Sequence, residues 1–229
     1  MKVIAVIPAR GGSKRIPKKN IINFMGKPMI NWTIQSAKKS MLFDRIIVST
    51  DCSEIADLVK QCGVEVPFLR NDKSDDNSTV TEATLVAISQ AEEYYNEKYD
   101  VVVQLMANAP LRDERDIKFH FNKFIESKLD FQISAFKFGW MNPWWSFKIN
   151  NSGEIDWMLK DGVGKRSQDL EELYCPTGVI WIAKVDELKL AKTFYGPNFS
   201  TCEINWKHAV DIDNIEDLEF AQALFTLYK

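Results

Sequence analysis

Two stretches of this sequence concentrate groups able to do chemistry. Between Pro8 and Asn20 lie Arg10, Lys14, Arg15, Lys18 and Lys19, with Gly11, Gly12 and Ser13 among them. Paired glycines let backbone amides turn toward an anion, since neither needs a negative φ. Arg10 can fork onto phosphate oxygens, while Lys14 and Lys19 offer point charges. Far along the chain, "AVDIDNIED" carries Asp211 and Asp213. A strand sends residues i and i+2 to one face, so both carboxylates can converge on a single cation. Two carboxylates and substrate phosphates are a usual way to hold Mg2+. Asp213 also suits the start of a helix, with Glu216 at the third helical position. Capping leaves Asp211 unexplained, and the pair is read as a metal site.

Other polar groups are less specific. Gln104 interrupts an apolar run and must find hydrogen bonds, in a core network or to a ligand. Arg70, Asp75, Asp76, Asn77 and Arg112 fall in loops where a solvated turn is an equal reading. Lys165 and Arg166 form a second cationic patch between Gly162 or Gly164 and "SQDL". His120 and His208 have no partner in sequence and are read as structural. The basic loop fits neither G-x-x-x-x-G-K-[ST] nor G-x-G-x-x-G, and no G-x-S-x-G, H-E-x-x-H or Cys/His pairing is present. Cations, amides and two carboxylates suit phosphoryl or nucleotidyl transfer, where catalysis is mostly alignment and charge neutralisation.

The elements that must position these groups alternate through the first half. Short apolar runs at Val3–Ile7, Arg45–Ser49, Val64–Phe68 and Val101–Met106 predict strands buried on both faces. Helical spacing covers Pro28–Ser40, Glu54–Cys62, Thr79–Tyr95 and Glu114–Ser127. Gly63 stands where a left-handed residue ends a helix, and Thr79 with Glu82 forms a capping box. This order predicts an α/β fold with a parallel sheet and helices on both faces. Ligands then bind beyond the carboxyl ends of the strands, on loops 8–20, 49–52, 69–78 and 106–112.

The pattern changes after residue 130. Phe131–Phe138 and Trp144–Ile149 predict strands, and "INNSGEI" predicts a hairpin turn. Five of the seven tryptophans lie between 140 and 181, so residues 131–175 read as a β-rich excursion: a lid, a dimer surface or core. Thr177–Ala183 and Ala209–Ile212 predict further strands, and Asn214–Leu227 a closing helix. The whole reads as one domain over residues 1–229.

Composition bounds the class. An apolar content of 45% with 27% charged residues is that of a soluble globular protein. A net charge of −3 argues against nucleic-acid or anionic-membrane binding, which makes the basic loop a local feature. No apolar run suits a membrane span, and four cysteines without C-x-x-C spacing predict reduced thiols and a cytoplasmic protein.

Seven segments together resemble a known family. They are "IPARGGSKRIPKKNI" (7–21), "GKPMI" (26–30), "VSTD" (48–51), "EVPFLR" (65–70), "APLR" (109–112), "RSQDL" (166–170) and "DIDNIEDL" (211–218). In this order they are similar to the CMP-sialic acid synthetases, or acylneuraminate cytidylyltransferases, including the pseudaminic and legionaminic acid branches. The resemblance implies a Rossmann-like nucleotidyltransferase fold, Mg2+ dependence and a homodimer formed partly by the β excursion. It implies transfer of CMP from CTP to the anomeric hydroxyl of a nine-carbon 2-keto sugar acid, with release of pyrophosphate. By the same resemblance Arg10 and Lys19 are triphosphate ligands and catalytic, with Lys14 beside them. Gly11, Gly12 and Ser13 belong to that substrate loop, Asn20 and Arg70 contact cytidine, and Gln104 contacts the sugar acid. Asp211 and Asp213 bind the metal, Asp211 being catalytic; Arg15 and Lys18 are left to solvent.

Two departures stand out. Ala107-Asn108-Ala109-Pro110 replaces a common Pro-Thr-Ser-Pro, removing two hydroxyls beside the sugar site. An arginine directly before "Q-D-L" is Ser167 here, with Arg166 displaced by one and so turned to the opposite face if extended; Arg166 is kept as a substrate-binding candidate by the resemblance. The alternatives are the eight-carbon 3-deoxy-manno-octulosonate version of the reaction and a non-catalytic nucleotide-sugar binding protein.

Overall fold

The first apolar run forms β1 (Val3–Pro8), a strand with both faces covered. The computed structural model describes all residues except 73–77 and 229, so Asp75, Asp76 and Asn77 lie outside the described residues. After β1 come two short paired strands, β2 (Asn23–Phe24) and β3 (Lys27–Pro28), and then α1 (Met29–Ser40). The alternation continues with β4 (Arg45–Ser49), α2 (Ser53–Gln61), α3 (Val80–Tyr95), β5 (Val101–Gln104) and α4 (Glu114–Ser127). The second half holds β6 (Phe131–Lys137), β7 (Phe147–Ile149), β8 (Ile155–Trp157), β9 (Tyr174–Lys184), α5 (Val185–Ala191), β10 (Phe199–Glu203) and α6 (Ile215–Tyr228).

Six strands make one sheet in the order β10-β6-β9-β5-β1-β4. β1 pairs parallel with β4 and β5, and β10 pairs parallel with β6. Only β9 runs against its neighbours, pairing antiparallel with both β5 and β6. The expected α/β fold with a mainly parallel sheet is therefore the observed one. On one face, Ile30, Ile34, Val59, Ile117 and Phe121 of α1, α2 and α4 cover Ala5, Ile7, Val101 and Val103. On the other, Ala87, Ile88 and Leu188 of α3 and α5 cover Ile4, Val6 and Val102. A third cluster joins Ile16, Phe24, Met29 and Leu111 to Ile212 and to Leu218, Ala221 and Leu224 of α6.

Local signals act as expected at several ends. Gly63 has φ +74° after α2. Thr79 Oγ1 accepts from Glu82 N at 3.1 Å while Glu82 Oε2 accepts from Thr79 N at 2.8 Å, a reciprocal cap worth about 1 kcal/mol. The predicted hairpin is β7–β8.

Four expectations fail. Val64–Phe68 buries Val64 and Val66 in alternation but forms no ladder with β4, which pairs only with β1; Pro67 has no N–H to give one. Ala209–Ile212 is extended chain outside the sheet, tied to it at single residues. Trp144–Ile149 begins as a 3-10 turn over Pro143–Trp145, because Asn142 Oδ1 accepts from Trp144 N at 3.0 Å. The closing helix is capped by Asn214 rather than Asp213: Asn214 Oδ1 accepts from Asp217 N at 2.9 Å, and Asp217 Oδ2 accepts from Asn214 N at 3.0 Å. Four elements went unpredicted: the short strands β2 and β3, α5, and the edge strand β10, in which only Cys202 is buried.

Candidate active site

The carboxyl ends of β1 and β5 open on a cleft of about 470 Å3, a size that takes small-molecule ligands. The chain passes from β1 outward to β4 and later returns to β5 on the other side of β1. Such a reversal of strand order is where open α/β sheets bind ligands. Arg10, Ser13, Lys14, Arg15, Lys19 and Asn20 line one wall. Asp211, Asp213, Asn108 and Met106 line another, and Thr79, Val80 and Ala83 close the cleft from the start of α3. The basic loop and the two carboxylates, some two hundred residues apart in sequence, thus share one cavity.

The basic loop is braced from within. Asn20 is buried and its Nδ2 donates to the Arg10 carbonyl at 3.0 Å. Gly11 donates its N–H to Asp51 Oδ1 at 2.8 Å, so that amide is engaged by protein rather than presented to a ligand. Neither Gly11 nor Gly12 has a positive φ, and neither lines the cleft. What Gly11 requires is proximity: a Cβ there would lie 2.8 Å from Cys52 Cβ. Gly12 has nothing near such a Cβ.

Asp213 is the meeting point of the charges. Lys19 Nζ stands 2.7 Å from Asp213 Oδ1, and Arg15 Nη2 stands 2.7 Å from Asp213 Oδ2. Arg15, expected in solvent, is therefore part of the cluster, whereas Lys18 turns away to Glu54 at 2.7 Å. Burial alone would raise the Asp213 carboxyl; the hydrogen bond and charge of Lys19, with Arg15, outweigh it and hold the pKa below its ordinary value. Asp211 has the opposite fate. It lines the cleft and keeps an exposed face to solvent, yet the protein atoms crowded around its carboxyl, and then the Asp213 charge, push that carboxyl up to about 6. Among the described residues no direct hydrogen bond or ion pair reaches that carboxylate. One carboxylate with no direct partner, Asp211, next to one held by two cations that suit phosphate, fits a divalent cation that binds together with a phosphate ligand drawing those cations away.

Arg70 is not a solvated turn. It is 5% exposed, its Nη1 donates to the Ser49 carbonyl at 3.1 Å, and burial lowers its pKa. Gln104 is fully buried at the end of β5, where its Oε1 accepts from Thr84 Oγ1 at 3.0 Å while Nε2 has no partner. It lies outside the cleft lining. Arg112, also fully buried, donates from Nη1 to the Val179 carbonyl at 2.8 Å, and burial draws its pKa down to about 10. Arg166 is not brought to the cleft: it is exposed on the excursion and pairs with Asp169 at 2.7 Å. His120 is buried between the carbonyls of Asp116 and Cys202, and His208 Nδ1 meets Asp116 Oδ2 at 2.7 Å.

Sequence reasoning missed two cleft groups. Arg15 carried no sign distinguishing it from Lys18; only the fold turns one inward. Asn108 drew notice as a lost hydroxyl, although its position on a ligand-side loop after β5 was a usable signal.

Comparisons with known proteins bear on the family and the fold. The family model described as Cytidylyltransferase matches residues 4–196. A pseudaminic acid cytidylyltransferase of Campylobacter jejuni is 35% identical, over 98% of this chain and 97% of that one. A CMP-N,N'-diacetyllegionaminic acid synthase of Legionella pneumophila is 31% identical, over 99% and 97%. Among solved structures, a CMP:2-keto-3-deoxy-manno-octonic acid synthetase complexed with CTP superposes with a TM-score of 0.73 over 100% of both chains, at 18% identity. That likeness bears on the fold.

Proposed function

The chain belongs to the cytidylyltransferase family, and from that premise we propose that it transfers CMP from CTP to the anomeric hydroxyl of a nine-carbon 2-keto sugar acid. The observation that carries the reading is the joining of Arg10, Lys14, Arg15 and Lys19 with Asp211 and Asp213 in one cleft. Neither half alone implies more than anion or cation binding.

In the proposed reaction the C2 hydroxyl oxygen attacks the α-phosphorus in line. Its bond to phosphorus forms as the bond from phosphorus to the bridging oxygen of the leaving pyrophosphate breaks, and the hydroxyl proton passes to solvent. Arg10, Lys14 and Lys19 neutralise the triphosphate and the departing pyrophosphate, which is most of what such a transfer asks of a protein. In the ligand-free cleft Lys19 and Arg15 are balanced by Asp213; an arriving triphosphate competes for them and leaves Asp213 free. Asp211 and Asp213 would then hold Mg2+, which when bound supplies neutralising charge to phosphate oxygens. Buried Arg70 and Asn20 fix the wall on which cytosine is expected, while Gln104, the residue expected by resemblance to contact the sugar acid, is fully buried outside the cleft lining and would reach a ligand only if the cleft opened further.

The excursion completes the proposal. Trp140 is 84% exposed and Ile149 67%, with Met141, Phe147, Ile155 and Met158 also exposed nearby. An apolar surface of that kind marks an interaction site, and we assign it to a second copy of the chain. Among the described residues no helix is long and apolar enough to cross a membrane; the cytoplasmic assignment rests on the cysteine spacing.

The test is CTP-dependent pyrophosphate release with sialic, legionaminic and pseudaminic acids side by side. Turnover with at least one is expected, with pseudaminic acid favoured by the Campylobacter relative. CTP binding without turnover on any of the three would overturn the proposal. Lys19→Ala should raise KM for CTP roughly tenfold or more, as loss of a charge-assisted contact does, with KM for the sugar little changed. The reverse split would remove Lys19 from the triphosphate site.

A further inference from the structure

We infer that Asn108 is a positioning residue for the two carboxylates, holding the chain between them in place from both sides of one residue. The inference rests on reading Asp211 and Asp213 as cation ligands. Asn108 is 2% exposed and lines the cleft. Its backbone carbonyl accepts from Ile212 N at 3.0 Å, and its side-chain Nδ2 donates to the Ile212 carbonyl, also at 3.0 Å. Ile212 is the residue between the carboxylates, so the clasp grips the peptide units that lead directly to Asp211 and to Asp213.

Burial of the Ile212 side chain and the ion pairs of Asp213 hold the side chains of this stretch, but few hydrogen bonds hold its backbone. The segment has left the sheet, and its preceding tie is Thr177 Oγ1 donating to the Ala209 carbonyl at 3.3 Å. Its following tie is the Asp217 carboxylate at the start of α6. Between them the backbone hydrogen bonds are those to Asn108. The loop that carries Asn108 is by contrast firmly anchored. Thr33 Oγ1 donates to the Met106 carbonyl at 3.2 Å, Ser36 Oγ to the Arg112 carbonyl at 3.0 Å, and Arg112 Nη1 to the Val179 carbonyl at 2.8 Å. Asn108 therefore acts as a fixed post that transfers the rigidity of α1 and β9 to a carboxylate pair lacking a ladder of its own. Groups that orient metal ligands from behind matter nearly as much as the ligands. The amide is suited to the task because it supplies a donor where the neighbouring chain has no strand partner.

The experiment compares wild type, Asn108→Ala, Asn108→Leu and Asp211→Ala; leucine keeps the approximate bulk of asparagine without the donor. Mn2+ binding to the protein saturated with a non-hydrolysable CTP analogue, corrected for the ion held by the analogue alone, is measured by the resonance of the free ion, alongside melting temperature and the Mg2+ concentration giving half-maximal pyrophosphate release. Both Asn108 variants are expected to bind Mn2+ about tenfold or more weakly. Half-saturating Mg2+ rises in step, and excess Mg2+ recovers part of the lost rate. If Asp211→Ala loses Mn2+ binding while the Asn108 variants bind like wild type, the inference falls and the metal reading stands. A drop in melting temperature without a change in Mn2+ affinity also overturns it, since Asn108 would then only support the fold. If Asp211→Ala binds Mn2+ as wild type does, the reading of the carboxylate pair itself falls. Should the alanine and leucine variants not fold, Asn108→Ser, whose hydroxyl is too short for the clasp, replaces them in the same comparison.

Discussion

The carboxyl of Asp211, lifted to about 6 by burial and then by Asp213, is ionised at pH 7 against its surroundings. Its pKa is higher folded than unfolded, so the folded state binds more protons between the two values. The stability this contributes is fully present below about pH 4, the unfolded range, and is lost as pH rises through about 6. Asp211→Asn should therefore melt at a higher temperature than wild type at pH 7, and the difference should vanish near pH 4. Equal melting at pH 7 would contradict the raised pKa. A cation competes with that proton, so Mn2+ affinity should weaken as pH falls below about 6. At the other wall, Gly11→Ala places a methyl 2.8 Å from Cys52 Cβ. It should cost about 1–3 kcal/mol in urea unfolding, with a raised KM for CTP as the loop is displaced. The charged members of the site were legible from sequence because phosphate and metal chemistry draw on few residue types. Which cation meets which carboxylate was not, since Arg15 and Lys18 differ only in the direction the folded loop gives them.

At the level of elements, the starts and ends with local signals were readable, and those set by tertiary pairing were not. Thr79, Glu82 and Gly63 carry their roles in their own chemistry. Val64–Phe68 shows strand-like burial yet lacks a partner, because alternation reports which side is wet and not whether a neighbour hydrogen-bonds. β10 was invisible for the opposite reason: it has a neighbour in β6 but only one buried side chain. Capping, the alternative that Asp213 also suited, falls to Asn214 instead, and this matters because it leaves Asp213 to Lys19 and Arg15. Asn214→Ala is expected to lower stability by about 1 kcal/mol in urea unfolding. If Asp213 were the cap, the variant would unfold like wild type.

For the molecule as a whole, the alternating half was foreseeable from apolar periodicity, and the sheet confirms it. The excursion was foreseeable only as an aromatic-rich anomaly, since nothing local says what covers an exposed face. Its proposed partner can be checked directly: Ile149→Asp or Phe147→Asp should shift the sedimenting species from dimer to monomer, and an unchanged mass would return the excursion to other uses. Finally, the third apolar cluster seats Ile16 of the basic loop and Ile212 of the carboxylate segment together against α6. Ile16 thus waits for Ile212, which is made well after it. A nascent chain on the ribosome can lay down β1, β4 and β5, but Lys19 and Arg15 do not meet Asp213 until that residue leaves the exit tunnel. The cleft is therefore complete only once Asp213 has been made, and a chain released before that point keeps most of the sheet without the joined charges.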